Sequence, residues 1–185
     1  LDRVQALQAP RLAASIYTDL GIATFFQDLF DRSVVYFQKA MEIYFETKQF
    51  AKVADAMMNV GNVFSAKGDT ETAIEYWQKS FTVSQEHGTL HQQAQIQNNL
   101  GIAHYKLKRY PEAKRFYATA RSIFSRLESK QGLAYVFTNL GEVCFVEGEY
   151  EKALQEWEGA RRSYAEMDDS HGLAETMLQL AQVHL

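Results

Sequence analysis

Three asparagines with side chains suited to hydrogen bonding recur at one interval along the 185-residue chain. Asn59, Asn99 and Asn139 stand 40 residues apart, and Asp19 and Gln179 extend the same series at its two ends. A side-chain amide offers two donor hydrogens and an acceptor oxygen. A row of such groups on one face would suit hydrogen bonding to an extended polar chain.

Residues that usually carry catalysis are scattered. His87 and His91 are four residues apart, but Gly88 lies between them, and Cys144 occupies the same repeat position as Phe64 and His104. Cysteine at such a position is more typical of small core filling than of a nucleophile. No set of residues has metal-ligand spacing, and the sequence contains no phosphate loop or hydrolase elbow. We therefore predict a protein that is not an enzyme and has no metal or other cofactor.

The interval of 40 residues belongs to the whole sequence. Glycines recur with this period, and so do alanines: Gly21, Gly61, Gly101 and Gly141; Ala14, Ala54, Ala94, Ala134 and Ala174. Self-similarity at such a period is the signature of a repeat array. We predict a single array divided into residues 1–13 (end of a preceding helix B), 14–53, 54–93, 94–133 and 134–173 (repeats one to four), and 174–185 (helix A of repeat five).

Each repeat is predicted to be a hairpin of two helices, A and B. Helix A runs from the repeated alanine for about fourteen residues, for example 54–67, and Gly68 or Gly148 supplies the turn. Helix B carries a small, a large and a small residue on one stripe, as in Ala73, Trp77 and Ser80. Gly88, Gly132 and Gly172 are expected to stop helix B. The fold class predicted is all-α, a solenoid of antiparallel helix hairpins.

Composition excludes several classes of partner. The net charge of −4 argues against nucleic acid and anionic membranes, which require a basic surface. The single cysteine cannot form an internal disulfide, and no apolar run approaches the length of a membrane span. We expect a cytoplasmic protein, and we interpret the mid-repeat ends as those of a piece from a longer array.

These residues carry a family resemblance. The recurring pattern resembles the tetratricopeptide repeat. It consists of Leu-Gly, a bulky residue three or four places later, Ala twelve places after the glycine, an aromatic residue four places further and Ala three places beyond that. The usual unit is about 34 residues, and the longer period here is similar to Pins-type adaptors and many bacterial regulators. The resemblance implies a right-handed superhelix whose A helices line a concave groove that binds peptides or protein segments.

The resemblance also implies which residues face the groove. Positions 2, 5, 6, 9, 12 and 13 of each helix A point inward in this family. The groove residues expected on this basis are Asp19, Phe25, Asp55, Asn59, Asn62, Asn98, Asn99, Tyr105, Asn139, Glu142, Phe145 and Gln179. Aromatic and acidic groups among them favour a ligand with hydrophobic anchors and basic side chains. A solvated face in an unused groove is the alternative for the amides, and packing between hairpins is the alternative for the aromatics.

Charge differs between neighbouring repeats. Residues 94–133 carry eight Lys or Arg against two Glu, whereas residues 134–173 carry three against nine acidic residues. The basic set at one hairpin tip is Lys106, Lys108, Arg109, Lys114 and Arg115. We favour charge attraction between the two repeats over the docking of an acidic partner.

Two functions remain from the sequence. The first is an interaction scaffold that binds a protein or peptide ligand in the groove, as part of a larger signalling or regulatory protein. The second is a structural spacer or self-association module joined through exposed ends of the array.

Overall fold

A computed structural model describes residues 2–182, with side chains from residue 9 onward. The described residues form α-helices joined by short turns and contain no strand, which confirms the all-α class. The helices are α1 Asp2–Phe25, α2 Phe30–Glu46, α3 Phe50–Ala66, α4 Thr70–His87, α5 Leu90–Lys106, α6 Tyr110–Arg126, α7 Lys130–Val146, α8 Tyr150–Ala165 and α9 Ser170–Gln182. Leu1 and residues 183–185 lie outside the described residues, so the last expected helix A is described only to Gln182.

The chain divides into two compact units, residues 1–96 and 97–185, with the division inside α5. In the first unit α1 packs on α2, α2 on α3 and α3 on α4. In the second unit α6 packs on α7, α7 on α8 and α8 on α9. Helices adjacent in sequence are therefore adjacent in space, as the predicted hairpins require.

One contact between a glycine and an aromatic ring recurs in both units. A Cβ on Gly61 would lie 2.6 Å from Nε1 of Trp77, and Gly21 faces the ring of Phe37 in the same way. In the second unit Gly101 faces Tyr117 and Gly141 faces Trp157. All four rings are buried, with at most 2% of each exposed. The glycine lets helix A approach the ring closely, and the burial of the rings confirms the predicted stripe on helix B.

The aromatic ring also reaches the next hairpin. Phe37 on α2 packs with Val60 and Val63 on α3 in one buried cluster. The adjoining small residues bring the backbones together, and where they are serines they donate hydrogen bonds. Ser33 Oγ lies 2.8 Å from the carbonyl oxygen of Gly21, and Ser80 Oγ lies 2.7 Å from that of Ala54. The core is thus built from successive hairpins.

Turns between helices repeat one geometry. A single residue with positive φ follows the helix end in the turns at Asp28, Lys48, Gly68, Lys108, Glu128, Gly148 and Asp168. At Lys67-Gly68-Asp69, the N–H of Asp69 donates to the carbonyl oxygen of Phe64, which closes the end of α3. Only two of these residues are glycine, so five side chains occupy a backbone region that L residues rarely adopt.

The turn between α4 and α5 differs. Gly88 ends α4 with φ −94° and ψ 178°, so it is extended and not left-handed. Gly132 and Gly172 were expected to end helices in the same way, and that expectation is wrong. Both are buried inside α7 and α9, where their bare backbones face the rings of Phe124 and Tyr164.

The corresponding pair on α4 and α5 reverses the sizes of these side chains, whereas Tyr44 on α2 keeps a ring at the first position. Ser84 stands where Phe124 and Tyr164 stand, and Gln92 stands where Gly132 and Gly172 stand. Both are buried, and Gln92 Nε2 donates across the small serine to the carbonyl oxygen of Ala51 at 3.0 Å. The helices are held together here by an amide where the other repeats use a ring.

Helix boundaries differ from those predicted. The A helices α3, α5 and α7 begin four residues before the repeated alanine, at Phe50, Leu90 and Lys130. In addition, α1 is continuous from Asp2 to Phe25 through Pro10, so no helix end separates residues 1–13 from repeat one. The division of the chain into functional repeats remains a prediction.

Candidate functional site

Side chains on consecutive A helices of the second unit bond to one another. Asn139 on α7 donates from Nδ2 to Oδ1 of Asn98 on α5, with 3.0 Å between the atoms. Both side chains are half-buried. This pair uses part of the hydrogen-bonding capacity that the sequence assigned to a ligand. We call the surface carrying Asn98, Asn139, Glu142 and Gln179 the amide face.

A second pair continues the amide face onto α9. Gln179 Nε2 lies 3.3 Å from Oε1 of Glu142, and Gln179 Oε1 is buried with no hydrogen-bond partner among the described residues. Burial raises the pKa of the Glu142 carboxyl, and the negative charge of Glu175 raises it further. The face therefore holds a partly desolvated carboxylate beside an unused acceptor.

Two tyrosines lie beside Glu142. Burial raises the pKa of Tyr105, and the Glu142 charge adds to the shift. The pKa of Tyr117 is raised by the same two causes in the same order. Tyr105 is half-buried, and its ring centre lies 5.9 Å from that of Tyr110. Tyr105 thus lies near Glu142 with its ring against that of Tyr110, and its role in a groove remains a prediction.

In the first unit the carboxylate of Asp55, at the repeat position of Glu175, contacts two neighbouring side chains. Asp55 Oδ2 lies 3.2 Å from Lys52 Nζ, and Asp55 Oδ1 accepts from Gln92 Nε2 at 2.5 Å. Asn59 lies beside this group and lines a cleft of about 170 Å³ together with Thr18. The predicted residues Asp55 and Asn59 therefore share one surface.

The remaining predicted polar residues have different surroundings. Asp19 is exposed, and Asn99 is half-buried. Asn62 Oδ1 accepts from the buried indole Nε1 of Trp77 at 3.1 Å. Asn62 is therefore held by the hairpin core, and its oxygen is already bonded within the protein.

Two aromatics expected to anchor a ligand pack within hairpins. Phe25 contacts the cluster around Phe37, with its ring centre 5.9 Å from that of Phe30. Phe145 packs on Trp157 at 5.6 Å between ring centres. Both rings are half-buried, and their role as groove anchors remains a prediction.

Sequence reasoning missed three contributors to these surfaces. Gln92 binds Asp55, and the hydroxyl of Tyr44 lies 3.2 Å from that of Thr18. A matching hydrogen bond joins Tyr164 to Thr138 in the second unit. Each contributor stands at a repeat position where neighbouring repeats carry a different type of side chain, and this difference was the available signal.

Charge complementarity between hairpins is present in the second unit. Lys114 Nζ on α6 lies 2.5 Å from Glu147 and 2.8 Å from Glu149, at the turn between α7 and α8. Burial works to lower the Lys114 pKa, but the hydrogen bonds to the two glutamates outweigh it and raise the pKa. Arg121 also reaches Glu156 at 3.1 Å. These contacts fit the favoured interpretation of the opposite charges.

Other kinds of site find no support in the described part of the chain. Residues 9–182 contain no group of three His, Cys, Asp or Glu side chains placed to hold a metal ion. Within residues 2–182, no helix combines the length and apolar character that a membrane span requires.

Burial lowers the pKa of His104, as does the charge of Arg109, and the His104 ring lies 4.9 Å from that of Phe116.

The repeated hairpins and the sequence together define the class of protein. Residues 52–126 match the family model described as tetratricopeptide repeat. With the same hairpin recurring on both sides of this segment, the chain is a tetratricopeptide repeat protein. The resemblance stated from the sequence is confirmed.

The chain is also similar to individual bacterial proteins. Response regulator aspartate phosphatase J of Bacillus subtilis (strain 168) is 34% identical over 71 residues, which are 38% of this chain and 19% of that protein. The crystal structure of aspartyl phosphate phosphatase F from Bacillus subtilis superposes with a TM-score of 0.88 at 16% identity, over 94% of this chain and 45% of that one. The Rap conjugation gene regulator of plasmid pLS20, solved in complex with the Phr* peptide, gives 0.81 at 23% identity, over 90% and 46%.

These likenesses have a defined extent. The chain spans about half the length of the two solved structures. At these identities the structural matches show that the fold is shared.

Proposed function

We propose that this chain is a peptide-binding module of a larger regulatory protein. It binds an extended segment of a partner along the A helices through hydrogen bonds to the peptide backbone. The observation that carries the proposal is that half-buried polar side chains occur on A helices within each unit. Asn59 is such a side chain in the first unit, and Asn98, Asn139 and Gln179 are such side chains in the second.

Half-burial makes such side chains suited to binding. Side chains already held by neighbours lose less conformational freedom when a ligand arrives than long, fully exposed ones. Asn139 keeps donor and acceptor capacity after bonding to Asn98, because an amide carries more than one of each kind of bonding site. Each bond to a ligand would contribute about 0.5 to 1.5 kcal/mol. Several rungs together would reach micromolar affinity, about −8 kcal/mol.

The comparisons support this proposal at the level of the fold. The plasmid pLS20 regulator was solved with a peptide bound, and this chain shares its fold over 90% of its own length. The relatives named as phosphatases are about twice as long as this chain or match it over a short segment. We infer that this region acts by binding. The groups whose pKa values are shifted, such as Lys114 and Glu149, form ion pairs between hairpins.

Selection from a library of random linear peptides displayed on phage tests the proposal. Peptides selected on the chain are measured by calorimetry against the native protein and the variant Asn59→Ala/Asn99→Ala/Asn139→Ala. We expect at least a tenfold loss of affinity with helicity retained, because three rungs lose their amides. Gln27→Ala, an exposed amide in the turn after α1, is the matched control and should bind normally. Full affinity in a folded triple variant would exclude this face.

Self-association is the second candidate function, and exposed apolar side chains favour it. On α9, Met177 is 61% exposed and Leu178 is 68% exposed; on α1, Leu12 is 64% exposed. Apolar groups of this size in contact with water favour association. Sedimentation velocity over a range of concentrations, comparing the native chain with Leu178→Glu, would detect a dimer that the charge disrupts. A monomer at every concentration would remove this candidate.

A further inference from the structure

The cleft beside Asn59 has the size and lining of a side-chain pocket. Its volume is about 170 Å³, and it is lined by residues from α1, α2 and α3: Thr18, Tyr44, Lys52, Asp55, Ala56, Met58 and Asn59. A water molecule occupies about 30 Å³ of liquid, so the cleft has room for one side chain of a ligand. It lies entirely within the first unit.

The hydroxyl groups in the cleft already use their hydrogens. Thr18 Oγ1 donates to the carbonyl oxygen of Ala14 at 3.0 Å. Tyr44 must therefore be the donor in its 3.2 Å contact with Thr18. Both hydroxyl oxygens keep acceptor capacity and have no hydrogen left to give. A ligand group that enters beside them is favoured if it carries N–H donors.

The charges at the cleft cancel. Lys52 and Asp55 form an ion pair at 3.2 Å, and the other carboxylate oxygen of Asp55 accepts from Gln92. A cationic side chain would meet Lys52, and an anionic one would meet Asp55. Apolar surface is supplied by Ala56, which is buried, and by Met58, which is half-buried. The lining therefore suits an uncharged side chain with an apolar stem.

Asn59 supplies the polar contact for the tip of that side chain. Its side chain is half-buried and lines the cleft. A primary amide pairs with another amide reciprocally, each donating one N–H and accepting one. A second amide N–H on the ligand would remain for the hydroxyl oxygens of Thr18 and Tyr44.

We propose that this cleft binds the side chain of a Gln or Asn in the peptide ligand, with Asn59 as the residue that determines this preference. The inference rests on the proposed peptide-binding function and assigns the class of residue that the peptide carries opposite α3. Aliphatic side chains of similar length fill the space but leave the Asn59 amide without a partner. That loss is the basis of selectivity.

Small probes test the cleft without a known partner. The chain is labelled with ¹³C at its methionine methyl groups, and the Met58 signal is identified by its loss in Met58→Leu. N-acetyl methylamides of Gln, Leu, Lys and Glu are titrated separately at millimolar concentration. We expect saturable shifts of the Met58 methyl with the Gln derivative and at least threefold weaker binding of the other three. No saturable shift with the Gln derivative would overturn the proposal, as would equal binding of the Leu derivative.

The variant Asn59→Leu reverses the expected preference. In this variant the Leu derivative should bind at least as well as the Gln derivative, while Gln27→Ala should behave as the native chain. A response to the Gln derivative that survives in a folded Asn59→Leu variant would also overturn the assignment. Near-native circular dichroism establishes that the variant is folded.

The phage-selected peptides separate failure of this inference from failure of the proposed function. If the cleft is assigned correctly, the selected peptides share a Gln or Asn, and its replacement by Leu weakens binding to the native chain about tenfold but not to Asn59→Leu. Peptides that require Asn99 and Asn139 but show no shared amide would overturn the cleft assignment and leave peptide binding intact. Peptides that ignore all three asparagines would remove the proposed function itself.

Discussion

Trp77 and Asn62 are joined through the hairpin core. The indole Nε1 of Trp77 lies 3.1 Å from Asn62 Oδ1 and 3.1 Å from the carbonyl oxygen of Met58. In the second unit Trp157 donates to the carbonyl oxygen of Thr138 at 3.2 Å, and Glu142 stands where Asn62 stands. The same ring at the same repeat position thus has an amide partner in one repeat, while in the other the equivalent residue is a carboxylate directed to Gln179.

Replacing either tryptophan should destabilise the fold strongly. Trp77 and Trp157 are at most 2% exposed, and removing a buried aromatic side chain costs about 3 to 5 kcal/mol. We expect Trp77→Ala and Trp157→Ala each to lower the free energy of unfolding by that amount in urea titrations. Asn62→Ala, which leaves the ring in place, should cost about 1 kcal/mol. Unfolding midpoints unchanged in both tryptophan variants would contradict the packing described here.

The glycines that face these rings should not accept a methyl group. A Cβ at Gly61 would lie 2.6 Å from the Trp77 ring, so Gly61→Ala forces the ring or the helix to move, at about 1 to 3 kcal/mol. The matched control is Gly159→Ala, whose Cβ would meet Phe137 at 3.2 Å. There the higher helix propensity of alanine, up to about 1 kcal/mol, offsets the tighter contact. Thermal melts that rank the two variants equally would refute this difference.

Ala181 at the fifth position of the glycine series is no guide to the other four. It is exposed on α9, where no described helix places a ring against it. An alanine at this exposed position therefore does not indicate that a methyl group is tolerated at Gly21, Gly61, Gly101 or Gly141.

Left-handed turn residues offer a route to higher stability. Lys48 and Lys108 both have φ near 57°, which costs an L residue about 1 to 2 kcal/mol relative to glycine. Glycine also gains freedom in the unfolded chain, so Lys48→Gly and Lys108→Gly should stabilise by about 0.5 to 1 kcal/mol net. Gly68→Ala, at φ 86°, should destabilise. Equal unfolding free energies across the three variants and the native chain would show that these turns are unstrained.

Acid should weaken the contact between α6 and the turn after α7. Hydrogen bonds from Lys114 and Lys152 lower the pKa of Glu149 to about 2. The folded state then binds fewer protons than the unfolded state, so this contribution is present above the ordinary glutamate pKa and lost as pH falls from about 4.5 towards 2. Urea midpoints measured from pH 6 to pH 3 should fall less in Glu149→Gln than in the native chain. The exposed Glu46→Gln is the control and should follow the native curve.

Much of the fold could be predicted from the sequence because its determinants are local and repeated. Period and apolar spacing predicted the hairpins and the stripe containing Trp77, but the contact of its ring with Gly61 was not predicted. The boundaries were less accurate. Helix A starts four residues early because the turn closes immediately before it, and most turns use a non-glycine residue such as Lys48 in the left-handed region, which no sequence pattern marked.

The candidate site was predictable in outline only. Spacing identified Asn59, Asn99 and Asn139 as one series, and the structure finds all three half-buried. The bond from Asn139 to Asn98 joins residues 41 positions apart, and it depends on how closely two helices approach. The packing of Phe145 on Trp157 also depends on how closely two helices approach each other. Contacts of this kind require the tertiary structure.

Small Ser84 pairs with long Gln92, whereas the large ring of Phe124 pairs with Gly132. This exchange of side-chain sizes between two repeats has an evolutionary consequence. A ring at position 84 would collide with the glutamine, and a glycine at position 92 facing a serine would leave a void. The two positions are therefore coupled where the second one is buried, and a third combination, Tyr44 with Lys52, is possible in the first repeat because the Lys52 side chain is 59% exposed. A repeat transplanted between the two units would have to bring both members of its pair with it, so this contact limits which repeats recombination can shuffle.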